Sequence, residues 1–325
     1  MIAFVVSRGL AARRFMMEVI LLGMILVIAL VTPHFLSVEN LLNILQNISL
    51  QGVIAFGMTM VIVAGEIDLS VSSTVAVSGV VTALVTGKLA KAGILPKESA
   101  VLVGMAAAIA LAAVVGLVNG IARVRFKIPT FIATLAMMNV VYGIAGTLTK
   151  GFPITTLPIW FNHLGAGHLF NIIPVPAMIL LVVFLLVYGL MTDTTFGRAI
   201  YAVGGNEESA RLSGINVGLV KVVVMVLVQI LAAVGGILVS SQVMSGSHTF
   251  GKGYELNVIA AVIIGGTSLN GGSGKPWGTL VGLIFLGVII NAMILLDVSE
   301  FIQYVVKGAI ILFAVLLNSI QQTRR

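Results

Sequence analysis

Apolar runs of about 20 residues recur along the whole sequence, and they restrict its fold more than any other feature. Each run can cross a hydrocarbon layer of about 30 Å only as a helix, because a helix satisfies its own backbone hydrogen bonds. The sequence therefore predicts an all-α fold, a polytopic membrane helix bundle of about ten transmembrane helices. The predicted spans lie near residues 16–31, 43–64, 69–87, 100–122, 129–148, 174–191, 217–240, 257–270, 276–296 and 301–320.

The distribution of basic residues predicts how these spans are oriented. Residues 1–15 contain three arginines and lead into the first span without a small-residue cleavage site, which predicts an uncleaved cytoplasmic segment. Threading ten spans from this start places most Lys and Arg residues on the cytoplasmic side, with Lys88, Lys91 and Lys97 as the main exceptions. We therefore expect one transmembrane domain over residues 1–325, located in a bacterial inner membrane, with both termini in the cytoplasm.

Several kinds of chemistry find no support in the sequence. The 325 residues include no cysteine, so neither a disulfide nor a thiolate site can form. No G-x-x-x-x-G-K-[ST] phosphate loop is present, so the chain cannot hydrolyse ATP by that route. The four histidines are dispersed, without the spacing of a metal site. We expect no catalytic residue, no metal and no cofactor in this chain.

One long polar interval, residues 192–216, separates two strongly apolar segments. Its turn at Gly204, Gly205 and Asn206 divides two short runs that could each form about two helical turns. Antiparallel helices usually need only about two to eight connecting residues. The length and charge of the interval therefore predict a docking surface, and the alternative is a solvated loop that only closes a helix pair.

A second polar stretch, Val61–Ser73, places Glu66 and Asp68 between two apolar runs. A carboxylate at the centre of a bilayer costs about 3 kcal/mol, so such groups are kept at interfaces or in cavities. The stretch could be a break in the membrane helices that lines a transport path. Alternatively, it is a helix boundary at which the Asp68 side chain caps the following helix.

A third stretch, Ile264–Gly274, is rich in glycine and resembles the break near Gly65 when Gly65 is set on Gly265. Paired breaks in two halves of a chain are typical of transporters with internal repeats, and a tight cytoplasmic turn is the alternative. Polar residues also occur within the spans, where they serve as interhelical hydrogen bonds or as ligand contacts. These residues are Asn119, Asn139, Tyr142, Gln229 and Asn291.

Four separated motifs, in one order, resemble the permease subunits of bacterial ABC importers for sugars, especially the ribose-type branch. They are AGEIDLSVSS at 64–73, IPTFIATLAMM at 128–138, FGRAIYAVGGNEESARLSGINV at 196–217 and GYELNVIAAVIIGGTSLNGGSG at 253–274. The resemblance implies a homodimeric or heterodimeric membrane pore, separate cytoplasmic ATP-hydrolysing subunits and a periplasmic substrate-binding protein. It implies a transport subunit without its own ATPase site, which moves a sugar or related small polar solute inward.

The resemblance also implies roles for individual residues. The loop between spans six and seven of this family enters a groove on the ATPase, which assigns Gly197, Arg198, Gly204, Gly205, Asn206, Glu207 and Glu208 to coupling. We expect the translocation path to include Glu66, Asp68, Ser70, Asn139 and Tyr142.

Two departures from the family pattern bear on the solute. The chain has Glu66 where the family usually has a small residue, and Tyr142 where it commonly has Arg. Both make the expected path more negative, which favours a neutral pentose or polyol over a sugar phosphate. An ion-coupled secondary transporter that uses Glu66 and Asp68 as carriers is the alternative function, although it would not need the long interval at 192–216. An intramembrane acid–base enzyme is disfavoured, because residues two apart on a helix point in different directions.

Overall fold

The computed structural model describes residues 16–323, so the predicted cytoplasmic segment 1–15 and the last two arginines lie outside the described residues. Within that range the chain forms thirteen α-helices, one short 3-10 helix at Ile159–Phe161 and two two-residue strands at His168–Leu169 and Ile173–Pro174. The helices are α1 (Met16–Val31), α2 (Val38–Val63), α3 (Val71–Lys91), α4 (Lys97–Phe126), α5 (Thr130–Thr149), α6 (Asn162–Ala166), α7 (Val175–Asp193), α8 (Thr195–Gly205), α9 (Glu207–Leu212), α10 (Val217–Val243), α11 (Tyr254–Ile264), α12 (Pro276–Leu295) and α13 (Glu300–Thr323).

The predicted all-α membrane fold is confirmed, whereas the count of ten spans is not. Seven of the described helices are long and apolar enough to cross a membrane, namely α2, α3, α4, α5, α7, α10 and α12. The other three predicted spans also form helices, α1, α11 and α13, which are not among those seven. Of the two segments with uncertain limits, the one near 69–87 is the full 21-residue helix α3, whereas the one near 257–270 is the 11-residue helix α11.

Helices α2 and α10 lie at the centre of the bundle. Every residue of α2 from Gly52 to Val63 is buried, and α10 packs against α2, α3 and α4. Glycines permit this close packing: a Cβ atom added at Gly116 in α4 would lie 2.6 Å from the backbone oxygen of Met225 in α10. Small residues bring membrane helices close in the same way generally. The result is that the first turn of α3 is held between α4 and α10.

The connection from α10 to α11 turns back into the bundle along α3. A Cβ atom added at Gly246 would lie 2.5 Å from the backbone oxygen of Gly79. A Cβ atom added at Gly251, whose φ is +74, would lie 2.7 Å from the backbone oxygen of Ser72. Helix α11 therefore begins beside the first turn of α3. That turn is itself inside the bundle, because the Ser70 hydroxyl accepts a hydrogen bond from Asn119 of α4. Asn119 lies about 10 Å before the end of α4, at 1.5 Å per residue.

Candidate coupling and translocation site

The predicted docking interval folds into the two short helices α8 and α9, each of which begins at a capping side chain. The hydroxyl of Thr194 accepts a hydrogen bond from the Gly197 amide at 3.0 Å, and the Asn206 side chain accepts one from the Ser209 amide at 2.8 Å. Such caps satisfy backbone amides that a helix start leaves unpaired. Two short capped helices are more rigid than a solvated loop, as a docking segment requires.

The end of α8 packs against both glycine-rich breaks. A Cβ atom at Gly204 would overlap the Val63 carbonyl oxygen and lie 2.7 Å from the Gly272 amide nitrogen. The Tyr201 hydroxyl donates to the Gly274 oxygen at 2.8 Å, and the Gly272 amide donates to the Val63 oxygen at 2.8 Å. Three segments that the sequence marks separately therefore meet at one place.

The opposite face of α8 and α9 is uncovered. Leu212, the last residue of α9, is 82% exposed beside charged neighbours. Sequence reasoning missed Leu212, because it is one apolar residue in a polar interval. The exposed residues of α8, α9 and the single residue between them are Thr195, Arg198, Gly205, Asn206, Glu208, Ser209, Arg211 and Leu212, of which Arg198, Gly205, Asn206 and Glu208 are predicted coupling residues.

A buried ion network connects the first break to α9. Lys221 Nζ lies 2.7 Å from Glu66 Oε1 and 2.7 Å from Glu207 Oε2, and Arg123 Nε lies 2.7 Å from Glu66 Oε1. The side chains of Lys221 and Glu66 are only 7% and 4% exposed, so neither charge is compensated by water. Thr130 adds a hydrogen bond to the second oxygen of Glu66. Lys221 thus bridges a predicted path residue and a predicted coupling residue.

Sequence reasoning counted Lys221 only as a cytoplasmic basic residue. The available signal was a lone lysine five residues into an otherwise apolar helix, which must be paired when it is buried. On the α9 side, Arg211 pairs with Glu207 at 3.0 Å and with Glu208 at 3.3 Å. The hydrogen bond from Lys221, reinforced by the charges of Lys221, Arg123 and Arg211, lowers the pKa of Glu207 below its ordinary value.

Asp68 lies in a separate, fully buried polar cluster at the start of α3. Its Oδ1 accepts from the Ser70 amide at 2.8 Å and from the Ser70 hydroxyl at 2.6 Å, and its Oδ2 accepts from Gln229 at 2.7 Å. Asn119 donates to the Ser70 hydroxyl at 2.9 Å, and Thr74 donates to the Gln229 side-chain oxygen. This cluster joins α3, α4 and α10, as interhelical hydrogen bonds do in membrane proteins.

Comparison with known proteins identifies the family of the chain. A profile of the family described as branched-chain amino acid transport system / permease component matches residues 40–315. The chain belongs to this permease family.

Relatives of this permease match over nearly their whole length. The ribose import permease protein RbsC of Escherichia coli (strain K12) is 41% identical over 309 residues, which are 93% of this chain and 92% of that protein. RbsC of Bacillus subtilis (strain 168) is 42% identical over 305 residues, 91% and 89% of the two chains. The L-arabinose transport system permease protein AraH of Escherichia coli (strain K12) is 37% identical over 295 residues, 90% and 87% of the two chains. No solved structure matches the chain.

The residues predicted to line the path of this permease lie in three different places. Glu66 belongs to the ion network and lines a cavity of about 340 Å³ with Arg123 and Thr130. Asp68 and Ser70 are fully buried in the polar cluster. Asn139 and Tyr142 lie in the middle of α5. Asn139 is exposed, and its side chain donates a hydrogen bond to the Leu135 oxygen at 2.9 Å.

The same contacts alter the charge expected along the path of this permease. Glu66 faces two cations, Arg123 and Lys221, so its negative charge is offset locally. The departure expected at Glu66 therefore corresponds to an ion pair at the break between α2 and α3.

Proposed function

We propose that the chain is the permease subunit of an ATP-binding-cassette importer, and that it moves a pentose or related small polar solute inward across the plasma membrane. The support is that the relatives named ribose and L-arabinose permeases each match about nine tenths of this chain. In this proposal residues 1–325 form one transmembrane permease domain with both termini in the cytoplasm.

The relatives do not support an ion-coupled carrier, and the geometry of the two carboxylates argues against one as well. A carrier carboxylate must exchange its proton or cation during each cycle. Glu66 is paired with two basic side chains, and Asp68 accepts three hydrogen bonds within a buried cluster. Neither group is free to bind a coupling ion.

The proposal includes several partners. ATP-hydrolysing subunits would dock in the cytoplasm on the exposed face of α8 and α9, where Arg198, Glu208 and Leu212 are available. A second permease subunit, identical or different, would complete the pore within the lipid membrane. A periplasmic binding protein would deliver the solute.

The proposed coupling mechanism depends on the close packing of Gly204 against the two glycine-rich breaks. Because Gly204 packs on the carbonyl of Val63 and the amide of Gly272, α8 cannot move without displacing the end of α2 or the break before α12. Lys221 adds an electrostatic connection from Glu207 to Glu66. Closure of the ATPase pair would therefore move α8 and α9 as a lever and switch the access of the path.

Reconstitution with the ATPase subunits and the binding protein tests this function. We expect uptake of radiolabelled D-ribose into proteoliposomes to require ATP on the cytoplasmic side. Uptake driven by a proton gradient without nucleotide would contradict the proposal. The double variant Glu207→Lys, Glu208→Lys should lose solute-stimulated ATP hydrolysis, whereas Glu98→Lys, an exposed acidic residue at the far end of α4, should retain it.

A further inference from the structure

We propose that Glu255 and Tyr142 form a binding position for hydroxyl groups of the transported solute, between α3, α5 and α11; this inference rests on the proposed function. The Glu255 Oε2 and Tyr142 Oη atoms are both buried; Glu255 Oε2 has no hydrogen-bond partner among the described side chains, and the Tyr142 hydroxyl has only the Ser72 side chain beside it. The family resemblance assigned no role to Glu255.

The path of the chain brings these two side chains to one place in the bundle. Gly251 lies against the backbone oxygen of Ser72 in α3. Gly253, with φ +83, precedes the first residue of α11. Glu255 therefore lies in the first turn of α11, beside α3. On α5, Val141 and Ala145 pack with Val77 and Val80 of α3. Tyr142 follows Val141 and is within electrostatic reach of Glu255 and beside the Ser72 side chain.

The location matches a recurrent design of transporter binding sites. Solute sites in secondary transporters are built where interrupted helices begin inside the membrane, because helix starts there supply polar groups. Both α3 and α11 begin inside this bundle, at Ser70 and Gly253 respectively. The first-turn position also favours a negative charge at Glu255, through the helix dipole.

The hydrogen-bonding state of Glu255 Oε2 and Tyr142 Oη also supports a ligand at this position. Leaving a buried carboxylate or hydroxyl without a partner costs about 1–3 kcal/mol or more. Among the described residues, the carboxylates of Glu66 and Asp68 are buried and paired, Glu66 with two cations and Asp68 with three donors, whereas Oε2 of the half-buried Glu255 has no partner. A ligand that binds during transport accounts for the exception at Glu255.

The chemistry of the pair selects the class of ligand. A carboxylate accepts hydrogen bonds from hydroxyls, and a phenol can donate or accept one, so neighbouring hydroxyls of a sugar or polyol fit both. A phosphate or carboxylate would be repelled by Glu255. The inferred ligand is a neutral polyhydroxy solute.

The test uses the reconstituted complex with radiolabelled D-ribose, and the variants Glu255→Gln and Tyr142→Phe. We expect each variant to lower the maximal uptake rate about tenfold or more, since Tyr142→Phe removes a hydrogen-bonding group and Glu255→Gln replaces a carboxylate oxygen that accepts with an amide group that donates. Matched controls are Glu98→Gln and Tyr188→Phe, which lie at exposed positions and should leave uptake unchanged.

Thermal unfolding of the same variants separates a binding role from a structural one. A carboxylate kept for a ligand predicts that Glu255→Gln has a Tm equal to or above that of the wild type. Wild-type uptake rates in both variants, or loss of uptake together with a lowered Tm, would overturn the inference. Failure of the wild-type complex to take up any pentose with ATP would instead overturn the proposed function, and this inference with it.

Discussion

The amide of Gly272 donates a hydrogen bond of 2.8 Å to the carbonyl oxygen of Val63, and this bond joins the two glycine-rich breaks of the chain. Gly204 of α8 lies against both partners, so the segment proposed to contact the ATPase touches the ends of two interrupted membrane segments directly. A displacement of α8 would therefore directly displace the end of α2 and the segment before α12. The following predictions test this arrangement and the groups around it.

Gly204→Ala should damage the protein, whereas Gly205→Ala should not. A methyl group at Gly204 overlaps the Val63 carbonyl, while the nearest atom to one at Gly205 is 4.0 Å away. We expect Gly204→Ala to lower the free energy of unfolding by about 1–3 kcal/mol and to reduce transport. Gly205→Ala should be neutral or slightly stabilising, since alanine favours a helix. Equal unfolding temperatures and uptake rates for the two variants would show that α8 is not seated in this way.

Lys221→Met should destabilise the protein, because it removes the cation between Glu66 and Glu207. Breaking a buried pair from one side costs about 3 kcal/mol, since a charge is left without its partner. Arg211→Met is the control: its side chain is 59% exposed, so its pairs are worth less than about 1 kcal/mol. Denaturant unfolding in detergent measures both.

A double variant distinguishes the ion pair from general packing at Lys221. In Lys221→Met the buried Glu66 carboxylate keeps only Arg123 as a cation. If that loss causes the destabilisation, then Glu66→Ala in the same chain should recover part of it. If the double variant lost as much free energy of unfolding as the two single variants together, the charge interaction would not be the cause.

The contribution of Glu207 should depend on pH. Its pKa in the folded chain is lowered from the ordinary value of 4.5, chiefly by the hydrogen bond from Lys221. A lowered pKa means that the stabilisation is complete above the ordinary value and is lost as the pH falls through the folded value. The difference in Tm between wild type and Glu207→Gln should therefore shrink as the pH falls below about 4.5. A difference that grows on acidification would contradict the assigned ion pair.

Gln229→Leu should destabilise the bundle. It removes the donor to Asp68 and to Ser70 and leaves polar groups unpaired in a fully buried cluster, at a cost of about 2 kcal/mol. Asn139→Leu is the control for stability, since Asn139 is exposed and donates only to the Leu135 oxygen one turn earlier. If Asn139 lines the path, its variant should lower uptake while leaving the Tm unchanged, and the Gln229 variant should lower both.

The proposed orientation can be tested by cysteine labelling, because the chain contains no cysteine of its own. Glu208→Cys on α9 should react with a membrane-impermeant maleimide only from the cytoplasmic side. Phe152→Cys, at a position 76% exposed beyond the end of α5, should react only from the periplasmic side. The reverse pattern would place the coupling segment outside and would refute the mechanism.

Much of this fold could be predicted from short stretches of sequence. The ten apolar runs all form helices, because a run of apolar residues in a membrane must satisfy its own backbone. The interval at 192–216 was predicted to form two short helices around Gly204–Asn206, and it does so because Thr194 and Asn206 supply local caps. The helix ends near 257–270 were harder to place, since glycines interrupt the apolar pattern there.

Only the tertiary structure decided which polar groups meet. Glu66, Lys221 and Glu207 are far apart in the chain, and their hydrophobic neighbours contain no signal of which partner each charge has. Likewise, the sequence identified Tyr142 as a polar residue within a span, while its proximity to Glu255 depends on how α11 re-enters the bundle beside α3. Hydropathy and capping act over a few helical turns, so the sequence alone determined the apolar helices and the two short helices of residues 192–216. The contacts between distant polar residues depend on close helix packing through glycine, which the packed bundle alone determines.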